Sequence, residues 1–113
     1  MPLVVGPRNY PYVGADLEPL PAEEFRTSAA TVREALHAYA QHYGVTISPH
    51  EWQPGERFPA GCYFDYEDKS HPRWPHVLID VHVRRATADL CVKQDLDFPL
   101  ESADVVHLGI PAC

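Results

Sequence analysis

Proline decides where a helix can run in this chain. Twelve of the 113 residues are proline, all within residues 1–21 or 49–111, and residues 22–48 are the longest stretch without one. Proline has no N–H to give to a helix, and its ring collides with the carbonyl four residues back. Inside the proline-free window Val32, Leu36, Tyr39 and Tyr43 recur at steps of four, three and four, along one stripe of a 3.6-residue helix. Ala29, Ala30, Ala35, Ala38 and Ala40 add helix propensity. The spacing predicts a helix over about 28–43, with Thr27 or Ser28 as its amino cap, or Thr31-x-x-Glu34 as a capping box, and Gly44 as its left-handed carboxyl cap. Pro21–Phe25 predicts a preceding helical turn, its acids near the positive end of the helix dipole.

The remainder reads as strands. Val77, Ile79, Val81 and Val83 alternate with His76, Leu78, Asp80, His82 and Arg84, a period-two pattern with one apolar face. Weaker candidates are Leu3–Val5, Val45–Ile47, Gly61–Tyr66, Asp89–Lys93 and Val105–Leu108. The short link from Arg84 to Asp89 predicts an antiparallel hairpin, and the 61–66 strand is expected to pair ahead of 76–84. The fold expected is α+β: a single domain, 1–113, with one main helix on a four- to five-stranded, mainly antiparallel sheet.

Composition narrows the function. Hydrophobic residues make up 45% and charged residues 22%, an ordinary globular mixture, and the net charge is −7. That sign argues against nucleic acid or an anionic membrane as a partner, because phosphate recognition needs a basic face. The amino end carries no apolar run of signal-peptide type, and no stretch is long enough to span a bilayer. Cys62, Cys91 and Cys113 form no C-x-x-C motif; the expectation is reduced thiols in a cytoplasm, with Cys62 and Cys91 as small buried hydrophobes and a Cys62–Cys91 bridge as the exported alternative.

Seven histidines are the most unusual feature of the composition. His76, Asp80 and His82 share a strand face, with His71 in the loop before them, and His50 with Glu51, or His107, could complete a metal shell. Against this, His76 and His82 stand about 20 Å apart along an extended strand, and only Asp80 and His82, about 7 Å apart, can reach one ion. No zinc motif, nucleophile elbow or glycine-rich phosphate loop is present. A Cys91–His82 dyad and the carboxylates Asp65, Glu67, Asp80, Asp95 and Asp97 remain as unremarkable acid–base material. Neither an enzyme class nor a cofactor is expected, and His37 and His42 are expected at the surface.

Aromatics next to prolines give a different signal. Tyr10 and Tyr12, Trp52 and Trp74 lie in proline-bearing loops, where large rings with a polar handle suit an interface. Residues 94–113 carry Asp95, Asp97, Glu101 and Asp104 with no Lys or Arg, a charge that would meet a basic protein surface. A single acidic α+β domain with loop aromatics and no catalytic signature is similar in type, though in no motif, to small bacterial immunity proteins and phage-encoded inhibitors. The leading expectation is a non-enzymatic binding protein that neutralises or regulates a protein partner through Trp52, Trp74, Glu67, Asp68, Asp95 and Asp97. The alternatives are a structural or assembly subunit, with room for a homo-oligomer through exposed edge strands, and a small metal-dependent enzyme using His71, His76, Asp80 and His82.

Overall fold

The computed structural model describes residues 1–6, 23–57, 59–69 and 75–109. Its elements are β1 (Leu3–Gly6), β2 (Glu23–Arg26), α1 (Val32–Tyr43), β3 (Thr46–Pro49), β4 (Phe64–Glu67), β5 (His76–Arg85), β6 (Ala88–Cys91) and β7 (Val105–Gly109). The strands form a seven-stranded sheet in the order β2-β1-β7-β5-β4-β3, with β6 also on β5. One helix on a sheet is the arrangement expected, but the sheet is larger and mixed: β1 runs parallel to β7, Val4 opposite Val106. A parallel pair needs a long crossover, so no local pattern announces it.

The helix starts later than expected, at Val32, and the capping box is the cap used. Thr31 has extended backbone angles, its Oγ1 accepts the Glu34 N–H, and its hydroxyl meets the Glu34 carboxylate at 3.2 Å. The reason for the late start is tertiary. The N–H groups of Val32 and Arg33 donate to the carbonyls of Phe98 and Leu96, while Leu100 donates to Ala30, so residues 96–100 supply partners that a helix start otherwise lacks. At the other end Gly44 takes φ 68° and its N–H returns to Ala40, the left-handed cap expected.

The turn expected at Pro21–Phe25 is corrected: residues from Glu23 onward form strand β2, antiparallel to β1, with Phe25 opposite Val4. An isolated helical turn has no packing to offset its nucleation cost. A strand instead pairs the open edge of β1 and brings Phe25 against the core. The apolar face of β5 is as read, with Ile79, Val81 and Val83 almost fully buried among Val4, Val106, Leu108 and Phe64 and against Val32, Leu36 and Tyr39 of α1.

Strand β5 links the two halves of the sheet. Its first half pairs with β4, Tyr66 opposite Val77, and its second half with both β7 and β6. The β5–β6 hairpin closes through Ala86 and Thr87, and Ala86 sits at φ 55°. That left-handed conformation costs a non-glycine residue roughly 1–2 kcal/mol, whereas glycine gives back roughly 0.5–1 kcal/mol in chain entropy. Ala86→Gly is therefore expected to stabilise the protein by about 0.5–1 kcal/mol and Ala86→Val to destabilise it, read as opposite shifts of the urea midpoint.

Cys91 lies on the exposed side of β6, opposite His82, because Leu90 takes the inward position. It is disulfide-bonded, while Cys62 is buried and free. The expectation of two buried thiols thus holds for Cys62 and is corrected for Cys91.

Candidate functional site

The sheet face turned away from α1 carries the polar chemistry, and register assembles it. Strand β3 pairs with β4, Ser48 opposite Asp65, and the ladder continues beyond the strand as the His50 N–H donates to Tyr63 at 2.9 Å. Gln94 fastens this junction, its Nε2 donating to the carbonyls of both His50 (3.0 Å) and Tyr63 (2.7 Å). His76 on β5 stands opposite Glu67, diagonal to Asp65.

Four side chains meet there in a chain. His50 Nε2 lies 2.7 Å from Glu56 Oε2, and His50 Nδ1 lies 3.0 Å from Asp65 Oδ1. The same Asp65 oxygen receives His76 Nε2 at 2.9 Å. The hydrogen bond that His50 makes to Glu56 is the main cause that raises the His50 pKa above its ordinary 6.5, with Asp65 adding to it against the opposing effect of burial. Reciprocally, the His50 hydrogen bond holds Glu56 below the usual glutamate value. The other Glu56 oxygen accepts the Gln53 N–H at 2.8 Å, and Gly55 at φ 93° permits the turn between them. Residues 50–56 therefore form a closed loop, with Trp52 on it 43% exposed. Beside the loop opens a cleft of about 630 Å³, lined among others by His50, Glu51, Asp65, Glu67 and His76.

A second cluster occupies the other half of β5. Asp80 is buried, and its Oδ1 lies 3.3 Å from His82 Nδ1, the one pairing the strand spacing allowed. His82 stacks on its cross-strand neighbour His107, with ring centroids 5.0 Å apart and planes at 12°. Burial is the main cause that lowers the His107 pKa, and the adjacent His82 acts in the same direction. His76 does not join Asp80 and His82 but turns to Asp65, and His71 lies outside the described residues. Among the described residues no group of three or more His, Cys, Asp or Glu could hold a metal ion.

The expected partner-binding residues divide. Trp52 is exposed on the closed loop, and Glu67 is exposed and lines the cleft. Asp95 and Asp97 are exposed on the turn beside the first turn of α1: Asp95 accepts the Asp97 N–H at 3.2 Å, and Asp97 pairs with Arg33 at 3.3 Å. Asp68 is buried, with its N–H donating to the Pro75 carbonyl where the chain leaves β4 for β5. Trp74 lies outside the described residues.

The acids of the last stretch are also less available than their run suggested, since Arg85 makes a two-pronged contact with buried Asp104 and pairs with Glu101. Sequence reading missed the His50–Asp65–Glu56 chain. His50 and Asp65 were each visible, but only the β3–β4 register brings them together. His37 is exposed as expected, whereas His42, also at the surface, stacks on Phe25 at 4.8 Å. No helix among the described residues is long and apolar enough to cross a membrane. No family model matches the chain, and no curated protein or solved structure is detectably similar to it.

Proposed function

We propose that this is a non-enzymatic binding protein, of the inhibitor or immunity type, that holds a basic group of a protein partner in the cleft beside Trp52. One observation carries the reading. Glu51 and Glu67 are exposed in the cleft and pair with no Lys or Arg among the described residues, whereas Asp89, Asp97, Glu101 and Asp104 are each matched by an arginine of the chain itself. Unmatched charge at an open rim steers and selects a partner of opposite sign, and an exposed tryptophan beside it supplies the apolar anchor. While protonated, the His50 ring directs both nitrogens at carboxylates and has no lone pair to act as a base, which favours binding over catalysis in that state.

The test compares untagged wild type with Trp52→Ala/Glu67→Lys. Wild type should retain a stoichiometric basic protein from source-cell lysate at low salt and release it at high salt. With that partner purified, the double variant should bind at least about tenfold more weakly, about 1.4 kcal/mol, at an unchanged melting temperature. Equal binding by the two proteins, or an empty capture at low salt, overturns the proposal.

A second reading, an assembly subunit, is favoured by the topology: β3 is an outer strand, paired among the described residues only with β4. A neighbour's strand added there would appear as a homo-oligomer by light scattering.

A further inference from the structure

We propose that a proton on His50 latches the Trp52 loop onto β4, and that the loop is released when that proton leaves. The inference stands apart from any partner and is tested without one. Its basis is donor counting. A neutral imidazole has one N–H and one lone pair, and an ionised carboxylate only accepts. Here both ring nitrogens lie within hydrogen-bond distance of carboxylate oxygens, 2.7 Å to Glu56 and 3.0 Å to Asp65. Only the imidazolium donates to both. In the neutral ring one of the two contacts sets a lone pair against a carboxylate and must open.

The two carboxylates belong to different parts of the fold, which turns a protonation into a mechanical link. Glu56 is tied into the loop through the Gln53 N–H, and Asp65 is in the middle of the β3–β4–β5 ladder. The His50 ring is thus a bridge between loop and sheet. Its backbone stays put in either state, because Gln94 and Tyr63 hold its carbonyl and N–H. The change is confined to the residues after it, Trp52 among them.

The surroundings favour the cation. Glu56 from its own loop and Asp65 from β4 face the ring at hydrogen-bond distance, Glu51 and Glu67 line the same cleft, and His76 on β5, the one other titratable base lining it among the described residues, shares the same Asp65 oxygen. No Lys or Arg lines the cleft among the described residues. The folded-state pKa is raised above 6.5, so the latch contributes fully below the unfolded value and is lost as pH rises through the folded one. The latch therefore opens on the alkaline side of the ordinary histidine value.

The experiment is a pH titration of the intact protein from 5 to 9, following the His50 ring by nitrogen NMR and Trp52 by the fluorine signal of 5-fluorotryptophan, assigned with Trp52→Phe. The expected result is a His50 midpoint above 6.5 and a Trp52 shift that follows it with the same midpoint. In Glu56→Gln both midpoints should move down together, and in His50→Gln the Trp52 shift should vanish. A His50 midpoint at or below 6.5, a Trp52 signal that stays flat while His50 titrates, or a Trp52 shift that persists in His50→Gln would each overturn the proposal. The wild-type titration decides the first two alone, so the proposal does not depend on either variant folding.

Discussion

Arg85→Met should be among the most damaging single substitutions, because removing one partner of an ion pair strands the other when that other is buried. Asp104 is the reason. Its side chain is 1% exposed, against 33% for Arg85, so losing the guanidinium leaves a carboxylate in the interior with one remaining donor, the Glu101 N–H at 2.7 Å. Asp104→Leu should cost less, because the orphaned Arg85 is partly solvated and retains Glu101. The damage would spread in either case. Arg85 also donates to the Pro99 carbonyl at 3.0 Å and lies 5.4 Å over the Phe98 ring. It therefore pins residues 96–100, whose carbonyls cap the first turn of α1. Urea melts of the two single variants and of Arg85→Met/Asp104→Leu form a double-mutant cycle. The double variant should be more stable than Arg85→Met alone, because no charge is stranded. Equal losses in the two single variants would show that the pair behaves as an exposed one.

The same pair contributes to the acid limb of the stability curve. The Arg85 hydrogen bond, followed by that from the Glu101 N–H, holds Asp104 below its ordinary 3.8. Its folded value is depressed, so its contribution is complete above the unfolded pKa and is lost as pH falls through the folded one. Asp104→Asn should flatten that loss while lowering stability at neutral pH.

The acids of this segment also show why the site was only partly legible. In the sequence Asp97, Glu101 and Asp104 form an uninterrupted acidic stretch, but Arg85 lies 19 residues from Asp104 and Arg33 lies 64 from Asp97. Charge read along the chain cannot see neutralisation across it. Local periodicity was informative where the structure is local: the Val32–Tyr43 stripe, the Gly44 cap, the inward Val77–Val83 positions and the β5–β6 hairpin. What escaped is what only long-range pairing creates. Strand β2 exists because β1 needs an edge partner, and the helix start is set by residues 96–100. His50 finds Asp65 because Ser48 is in register with Asp65. The β5 spacing set His76 and His82 apart, and the strand's period said nothing of the diagonal step by which His76 reaches β4.

Gly6→Ala carries the other large effect, and its sign makes it decisive. In an ordinary strand, glycine is worse than alanine by roughly 0.5–1 kcal/mol, so the substitution should stabilise if Gly6 were merely a strand residue. Gly6 has no positive φ to explain its presence. It is there because of Tyr39: a Cβ on Gly6 would fall 1.7 Å from the Tyr39 hydroxyl oxygen and 2.4 Å from its ring Cζ. The ring cannot step aside, since it is fully buried, with Tyr43 at 4.6 Å on one side and Phe25 edge-on at 6.2 Å on another. Alanine must therefore displace the tyrosine that joins α1 to β1 and β2. The expected cost is about 3 kcal/mol, the upper part of the overpacking range, seen as a fall of roughly 10–20 °C in Tm. Tyr39→Leu should be destabilising by itself through the cavity it leaves. In the Gly6→Ala background its cost should shrink, because the new methyl group enters the vacated space. If Gly6→Ala instead raises Tm, the Tyr39 ring does not lie over β1, and the packing of α1 described above is wrong.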